Sequence, residues 1–340
     1  MLKASILALA VAVFLSLSIG ATGITLASLP RAVWAALAGS NDPVLLREQL
    51  VLLNIRFPRA ILGLFVGAAL GVAGTMMQGL FRNPLADPGI VGVSSGAALA
   101  AVATIALGNS IAAPLTRAFG VYALPFAAFA GGFATTMLLV AISGRRGDLM
   151  IGTLLLAGIA LGAISGALTG LISYASDDRE LRDLTLWSLG SLSGSSWPKV
   201  VAILPFAVLI LVVLPMVIRG LNGFLLGEAE AYHLGIDTER TKKLVILTTA
   251  ASVGAAVAVA GVVGFVGIVV PHVIRLLAGP DHRFVLPGSA LLGAALLLVA
   301  DVIARMVVRP AELPLGIVMA AIGAPVFLHL VLRRGIGGVE

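Results

Sequence analysis

The residues that could carry chemistry in this chain are few, and their spacing forms no catalytic centre. Cysteine is absent, which excludes disulfides, thiolate metal sites and cysteine nucleophiles. No lysine follows a glycine, so the chain lacks the G-x-x-x-x-G-K-[ST] loop that binds nucleotide phosphates. The histidines lie far apart, without the spacing of metal ligands: His233, His272, His282 and His329. We therefore expect a protein that is not an enzyme, with no metal site and no permanently bound cofactor.

A polar turn after a long apolar run is the first candidate functional element. Residues 60–81 are apolar and uncharged, a run long enough to cross about 30 Å of hydrocarbon. Pro84 and Pro88 follow and cannot continue the helix, because proline lacks an amide donor and clashes with the preceding turn. Small positions on this helix would let a neighbouring backbone approach closely: Gly63, Gly67, Gly71, Gly74 and Gly79. The sequence thus predicts a rigid turn beneath a central, tightly packed helix.

The polar segment 225–237, between two long apolar runs, is the second candidate. In helical conformation Glu228 and Glu230 remain in water. The opposite face carries the apolar side chains Leu225, Ala229, Tyr232 and Ile236. This pattern predicts a short amphipathic helix along the membrane surface, either an interfacial cover for a loop or a docking helix for a partner.

The composition places these elements in a membrane protein. Hydrophobic residues make up 59% of the chain and charged residues 11%, whereas soluble domains carry about 25% charge. The apolar runs are continuous rather than alternating, which favours spanning helices over a barrel. The net charge of +6 arises from basic residues in short connections between apolar runs, so it does not predict nucleic-acid binding.

Ten apolar runs are candidate spans, and the molecule is predicted to be an all-α integral membrane protein. They cover residues 6–24, 60–81, 89–107, 122–142, 150–174, 200–218, 244–263, 264–277, 286–308 and 316–332. The stretch 244–277 is too long for one span, and Gly261 and Gly264 are the candidate turn. The first run is either a signal peptide ending near Ala21 or a retained span, and its length favours the span. Ten spans then put both termini in the cytoplasm, although basic residues are divided too evenly to decide the orientation.

An internal repeat is visible in the Gly-Ala-rich helices. Residues 67–74 resemble residues 254–261, and each is followed by a proline-bearing polar stretch. The two helices are five spans apart, so a duplication would give inverted repeats over about 60–180 and 244–332, within one permease domain of residues 1–340 and with 220–240 as a cytoplasmic segment. Inverted repeats are typical of transporters, which leaves an ion-coupled secondary carrier open as an alternative. Shared composition is the other explanation of the similarity.

Several motifs together resemble the FecCD-type permease subunits of ATP-binding-cassette (ABC) importers for iron chelates, haem or vitamin B12. They are R-F-P-R at 56–59 with Q-G-L-F-R-N-P-L-A-D-P-G at 78–89, L-G-E at 226–228, G-F-V-G-I-V-V-P-H-V-I-R at 264–275, D-V-I-A-R at 301–305 and E-L-P-L-G at 312–316. The resemblance implies the ten-span vitamin B12-permease-like fold and a homodimer with its pathway on the two-fold axis. It also implies two cytoplasmic ABC ATPase subunits, a periplasmic binding protein and a place in the bacterial inner membrane.

The resemblance assigns roles to particular residues. Arg56, Arg59 and Arg305 would lie on the outer surface and dock the binding protein, where the guanidinium fork suits carboxylates. Coupling to the ATPase falls on Gly227, Glu228, Ala229, Ala231, Leu234 and Gly235. The cytoplasmic gate falls on Asn83, Leu85, Ile151 and Gly152.

The cargo is predicted from segment 177–192, whose Leu-Arg and Trp-Ser-Leu-Gly-Ser-Leu stretches look like those of haem permeases. Arg179 and Arg182 could pair with a propionate carboxylate, unless this segment is a solvated loop. Met76 and Met77 could present sulfur to a haem iron, although methionine more often fills a core. Haem is therefore the expected substrate, with a ferric siderophore or cobalamin as the alternative.

Overall fold

The computed structural model describes residues 1–20, 24, 26–39, 42–108, 112–145 and 148–336. In that part of the chain the backbone is almost wholly helical. The helices are α1 Leu2–Ser18, α2 Leu29–Ala38, α3 Pro43–Gln49, α4 Phe57–Leu80, α5 Val93–Leu107, α6 Ala113–Phe119, α7 Ala123–Ser143, α8 Ile151–Ala175, α9 Asp178–Ser188, α10 Trp197–Phe224, α11 Glu228–His233, α12 Thr238–Ala260, α13 Val266–Ala278, α14 His282–Val307 and α15 Leu315–Ile336. One antiparallel pair of two-residue strands, β1 Gly144–Arg145 and β2 Asp148–Leu149, joins α7 to α8.

Each of the ten predicted spans corresponds to a helix, so the all-helical prediction is confirmed. Among the described residues, six helices are long and apolar enough to cross a membrane, and they contain α4, α7, α8, α10, α12 and α14. The other four predicted spans correspond to α1, α5, α13 and α15, apolar helices whose fully described portions are shorter. Ala21, the alternative signal-peptide boundary, lies outside the described residues.

The long apolar stretch 244–277 breaks where the glycines predicted a turn. Gly261 ends α12 with a φ of +71°, and Phe265 precedes α13 with a φ of +67°. Positive φ values at these two positions interrupt the helix, and at Gly261 the absence of a Cβ removes the steric cost. The division into two helices is therefore confirmed.

Helix α4 forms the centre of the bundle and packs most extensively against α14. A Cβ atom at Gly67 would collide with the carbonyl oxygen of Gly293 in α14, and one at Gly74 would collide with Gly267 in α13. These contacts bring backbone against backbone, which is how small residues hold membrane helices together. Helix α12 is the second buried span, since nearly all its residues from Thr241 to Ala260 are inaccessible.

Four helices lie where the sequence predicted only connections: α2, α3, α6 and α9. Helix α3 continues through a π-helical turn, Leu50–Arg56, directly into α4. A wide turn at this point lets Pro58 enter the first turn of α4, where its missing amide donor costs least. Helix α9 begins with a capping box, because Asp177 accepts a hydrogen bond from the Glu180 amide and Glu180 returns one to the Asp177 amide. The segment 177–192 is thus mainly helical rather than a solvated loop.

Candidate functional site

Arg59, near the start of α4, is bonded on both edges of its guanidinium group. Its Nε and Nη2 donate to the carboxylate of Asp301 in α14, with Nη2 2.8 Å from Oδ1. Its Nη1 and Nη2 donate to the two oxygens of Glu312, each at 2.9 Å. Asp301 is fully buried, while the Glu312 side chain is 36% exposed. One planar fork therefore holds two carboxylates from distant parts of the chain.

Arg56 and Arg305 lie beside this cluster and bond to the end of α1. Arg56 Nη1 donates to the Leu17 and Ser18 carbonyl oxygens, at 2.6 and 3.1 Å. Arg305 donates to the Ser16 and Ile19 carbonyl oxygens, and its Nε lies 3.0 Å from Asp301 Oδ2. The last carbonyls of a helix have no partner within the helix. Two arginines satisfy them here, and their positive charge suits the negative end of the helix dipole.

The three arginines predicted for docking are grouped at one end of the molecule but are not accessible. Arg56, Arg59 and Arg305 are 4%, 8% and 7% exposed. The expectation that they lie open on the surface is wrong, because Asp301, Glu312 and the end of α1 take up their donors. Of this cluster, Glu312 is the group that reaches solvent. A role of these arginines in docking remains a prediction.

The opposite end of the molecule carries the predicted turn. Helix α4 ends at Leu80, and Arg82 adopts a left-handed φ of +50°. The Asn83 side chain accepts a hydrogen bond from the Leu85 amide at 2.9 Å, and Asp87 accepts one from the Gly89 amide at 2.7 Å. Burial raises the pKa of Asp87, while the Gly89 hydrogen bond acts in the opposite direction. The turn is held by its own side chains, as its two prolines predicted.

Helix α11 lies within the segment predicted to be a short amphipathic helix. Ala231 is fully buried and Ile236 partly buried. Four large apolar side chains are exposed instead, at 44% to 69%: Leu225, Leu226, Tyr232 and Leu234. Helical spacing put Leu225 and Tyr232 on one apolar face, whereas Gly227, with a φ of +130°, precedes α11 and separates Leu225 from it. An apolar surface at the polar end of a membrane protein fits contact with another protein.

A groove of about 1280 Å³ brings the coupling and gate predictions together. Its walls include Glu228, Ala229 and Gly235 of the coupling segment and Ile151 and Gly152 at the start of α8. A smaller cavity of about 340 Å³ joins Ile151 and Glu228 to Arg82, at the end of α4. Three elements that are distant in sequence therefore meet at this end. Asn83 and Leu85 line neither of these two cavities, although Asn83 directly follows Arg82.

Lys242, in α12, is the residue of this groove that sequence reasoning did not single out as functional. Its side chain is 5% exposed and forms an ion pair with Glu228 and another with Glu239, the latter at 2.8 Å. Its Nζ also donates to the carbonyl oxygen of Leu149, at 3.3 Å. In the sequence it was one of several basic residues at span ends, and no pattern distinguished it.

The candidate substrate contacts do not come together. Met76 and Met77 are fully buried in the core around α4, so they cannot present sulfur to a cargo molecule in this structure, and that expectation is wrong. Arg179 and Arg182 are exposed on α9, and their role stays a prediction. The stretch after α9 is structural, because the carbonyl oxygens of Leu189 and Gly190 accept hydrogen bonds from Gly316 and Leu315.

The described residues contain no cluster of three or more His, Cys, Asp or Glu side chains that could hold a metal ion. His282 bonds through its ring to Asn222, and His233 lies in α11. The side chain of His329 lies outside the described residues.

Comparison with known proteins decides the family. The profile of the FecCD transport family matches residues 8–333. The chain belongs to the FecCD transport family. It is a multi-pass membrane permease of the ABC importer class, and the resemblance drawn from its motifs is confirmed.

Relatives of this FecCD permease agree with that assignment. It is 47% identical over 286 residues to the hemin transport system permease protein HmuU of Yersinia pestis, covering 83% of both chains. It is 45% identical over 286 residues to the cobalamin import system permease protein BtuC of Halobacterium salinarum, covering 84% of this chain and 74% of that one.

A solved structure resembles the whole molecule. An inward-facing metal-chelate type ABC transporter matches with a TM-score of 0.83 and 33% identity over 98% of both chains. The fold of this chain therefore matches that solved structure along nearly the whole length of both.

Proposed function

We propose that this FecCD permease moves haem across the bacterial inner membrane as the membrane subunit of an ABC importer. The observation that carries the proposal is the 47% identity to a hemin permease over 83% of both chains. Cobalamin is the second candidate, because permeases named for it are 45% and 42% identical. A ferric siderophore is the third, on the likeness to a metal-chelate type transporter. No cofactor is held permanently, and the iron chelate is cargo.

The groove end of the molecule is proposed to face the cytoplasm and to receive two ABC ATPase subunits in the dimer. Support comes from the exposed apolar side chains around α11 and from the open groove beside Glu228. The sequence lacks a phosphate loop, so the energy of ATP must enter through such a contact. Both termini then lie in the cytoplasm.

The arginine end is proposed to face the periplasm and the binding protein. Arg59 holds its two carboxylates through both edges of its guanidinium group, so a partner carboxylate reaches it only by replacing Glu312. Glu312, the exposed member of the cluster, is thus the group that a docking protein meets first. We therefore propose that Arg56, Arg59 and Arg305 contact the binding protein only after the ion pairs of this cluster have rearranged.

Two copies of the chain are proposed to form the pathway between them. Helix α8 is largely exposed, and its accessible positions include small residues four apart: Ala163, Gly166, Ala167 and Gly170. That spacing lets another helix approach closely. Helix α8 also exposes large apolar side chains, among them Leu156 and Ile159. The exposed positions of α10, including Val208 and Leu211, lack the small residues and fit a face toward lipid.

The inverted-repeat organisation over 60–180 and 244–332 is retained in the proposal. Helix α4 ends at the small cavity that Arg82 lines, and α12 begins beside that same cavity at Lys242. The two helices that carry the repeated glycine pattern therefore run in opposite directions through the membrane.

Reconstitution in liposomes with the ATPase and the binding protein tests this function. Vesicles would be offered haem, a ferric siderophore and cobalamin in parallel, with ATP inside or absent. We expect ATP-dependent uptake with haem preferred. Preference for another chelate would replace the cargo, whereas uptake by the permease alone on an ion gradient would contradict the ABC mechanism.

A further inference from the structure

Lys242 connects three elements of the groove through its ammonium group. An ammonium has three N–H donors, and each meets an acceptor on a different element. Glu228 belongs to α11, Glu239 to the first turn of α12, and the Leu149 carbonyl to β2. Glu239 also accepts a hydrogen bond from the Leu149 amide at 3.1 Å. Leu149 is thus held at both its carbonyl and its amide by Lys242 and Glu239.

The burial of Lys242 makes this connection stiff. The side chain is 5% exposed although it lines the groove, so its acceptors occupy nearly all of its surface. An unpaired charge in a buried position costs free energy, so a buried ammonium keeps its contacts when one of its partners moves. Glu228 is 47% exposed and lies on a six-residue helix, so it is the partner that is free to move.

The element at the far side of Lys242 leads straight into the predicted gate. Leu149 precedes Met150, which caps α8, and Ile151 and Gly152 form the first residues of that helix. Helix α12 is buried along most of its length and gives Lys242 a fixed base. Displacement of Glu228 therefore reaches the start of α8 by way of Lys242 and Leu149.

We infer that Lys242 is a positioning residue that transmits movement of the coupling segment, residues 227–235, to the beginning of α8. The inference rests on the proposed function, which supplies the ATPase that moves the segment. Glu239 assists by fixing the Leu149 amide in register with Lys242. Neither residue touches the cargo.

Transport measurements on the full reconstituted complex test the inference. In Lys242→Met, the cargo moved per ATP hydrolysed should fall by at least about fivefold, the lower range of coupling between two sites. The variant should still assemble with the ATPase subunits and the ATPase rate of the purified complex should persist, so that the loss is one of coupling. Lys242→Arg should restore part of the ratio, because arginine keeps the charge and the donors. Lys243→Met is the matched control, since Lys243 is the adjacent lysine and is exposed.

A second readout uses the permease alone and so does not depend on the cargo or on the ATPase. The chain has no cysteine, so Met150→Cys, at a position 54% exposed, gives a single labelling site for a spin label. Glu228→Gln and Lys242→Met should each change the mobility of this label. The double variant should change it no more than Lys242→Met alone, because the two substitutions break one connection.

The outcomes separate the two proposals. If the wild-type complex shows no ATP-dependent uptake, the proposed function fails, while the label measurement still decides the role of Lys242. Glu228→Gln can be compared in the wild-type background and in the Lys242→Met background. If it changes the mobility of the label by the same amount in both, the movement reaches α8 without Lys242 and the inference is overturned. Unchanged coupling in Lys242→Met, or an effect of Lys243→Met of the same size, would overturn it as well.

Discussion

At the scale of single residues, the arginine cluster shows how partners decide the role of a side chain. Arg59 was predicted from its motif to be a surface contact, yet its donors hold Asp301 and Glu312 inside the chain. A buried ion pair that loses one member leaves an unpaired charge, and this is more costly than the pair was favourable. Charge reversal at this position would therefore damage the fold before it could report on docking.

Arg59→Met should lower the free energy of unfolding by about 3 kcal/mol, because Asp301 is left buried with one guanidinium fewer. Thermal unfolding of the purified protein in detergent measures the loss. Arg179→Met, at an exposed position on α9, is the comparison and should change stability by no more than about 0.5 kcal/mol. Equal melting temperatures for the two variants would show that the Arg59 cluster is not structural.

Partners distant in sequence are what the motif alone could not provide. The motifs placed Arg56, Arg59 and Arg305 at one end of the molecule, but hydropathy and spacing contain no information on which carboxylate or carbonyl each one meets. The same limit applies to Met76 and Met77, since a methionine in an apolar helix has the same pattern whether it faces a pathway or the core. Lys242 was not predicted to be functional because its partners Glu228 and Leu149 are distant from it in sequence.

At the scale of helices, the sequence was far more informative. Long uncharged runs fix where a span can lie, and glycine at close spacing predicts close packing, so α4 and the break at Gly261 followed directly. The short helices were less accessible to prediction. The sequence signals for helix α3 are Asp42, which caps it, and Pro43 at its first position. Its π-helical junction to α4 depends on tertiary packing.

Glycine substitution distinguishes the packed helix from the exposed one. Gly67→Ala places a methyl group against the Gly293 carbonyl and should destabilise the protein by about 1–3 kcal/mol, as overpacking does. Gly166→Ala, on α8, meets open space and should leave the protomer as stable or slightly more so, since alanine is the better helix former. Thermal unfolding of both variants under one condition checks the pair. A loss at Gly166 equal to that at Gly67 would show that α8 is packed within the protomer.

At the scale of the whole molecule, cross-linking distinguishes the surface proposed for a second copy from the surface proposed for lipid. Gly166→Cys on α8 should form a disulfide-linked dimer on mild oxidation in the membrane, seen on a non-reducing gel. Val208→Cys on α10 should remain monomeric, because that face is proposed to meet lipid. Cross-linking through Val208 but not Gly166 would place the dimer interface on α10 instead.

Helix α1 has a consequence for how the protein is made. It packs chiefly against α14, and Arg305 of that helix holds its terminal carbonyls together with Arg56. Helix α1 thus acquires its main neighbour only after α2 to α13 have been synthesised. Until then the last carbonyls of α1 lack Arg305 as a partner, so truncation before Arg305 should leave α1 without its main neighbour and the shortened protein open to degradation.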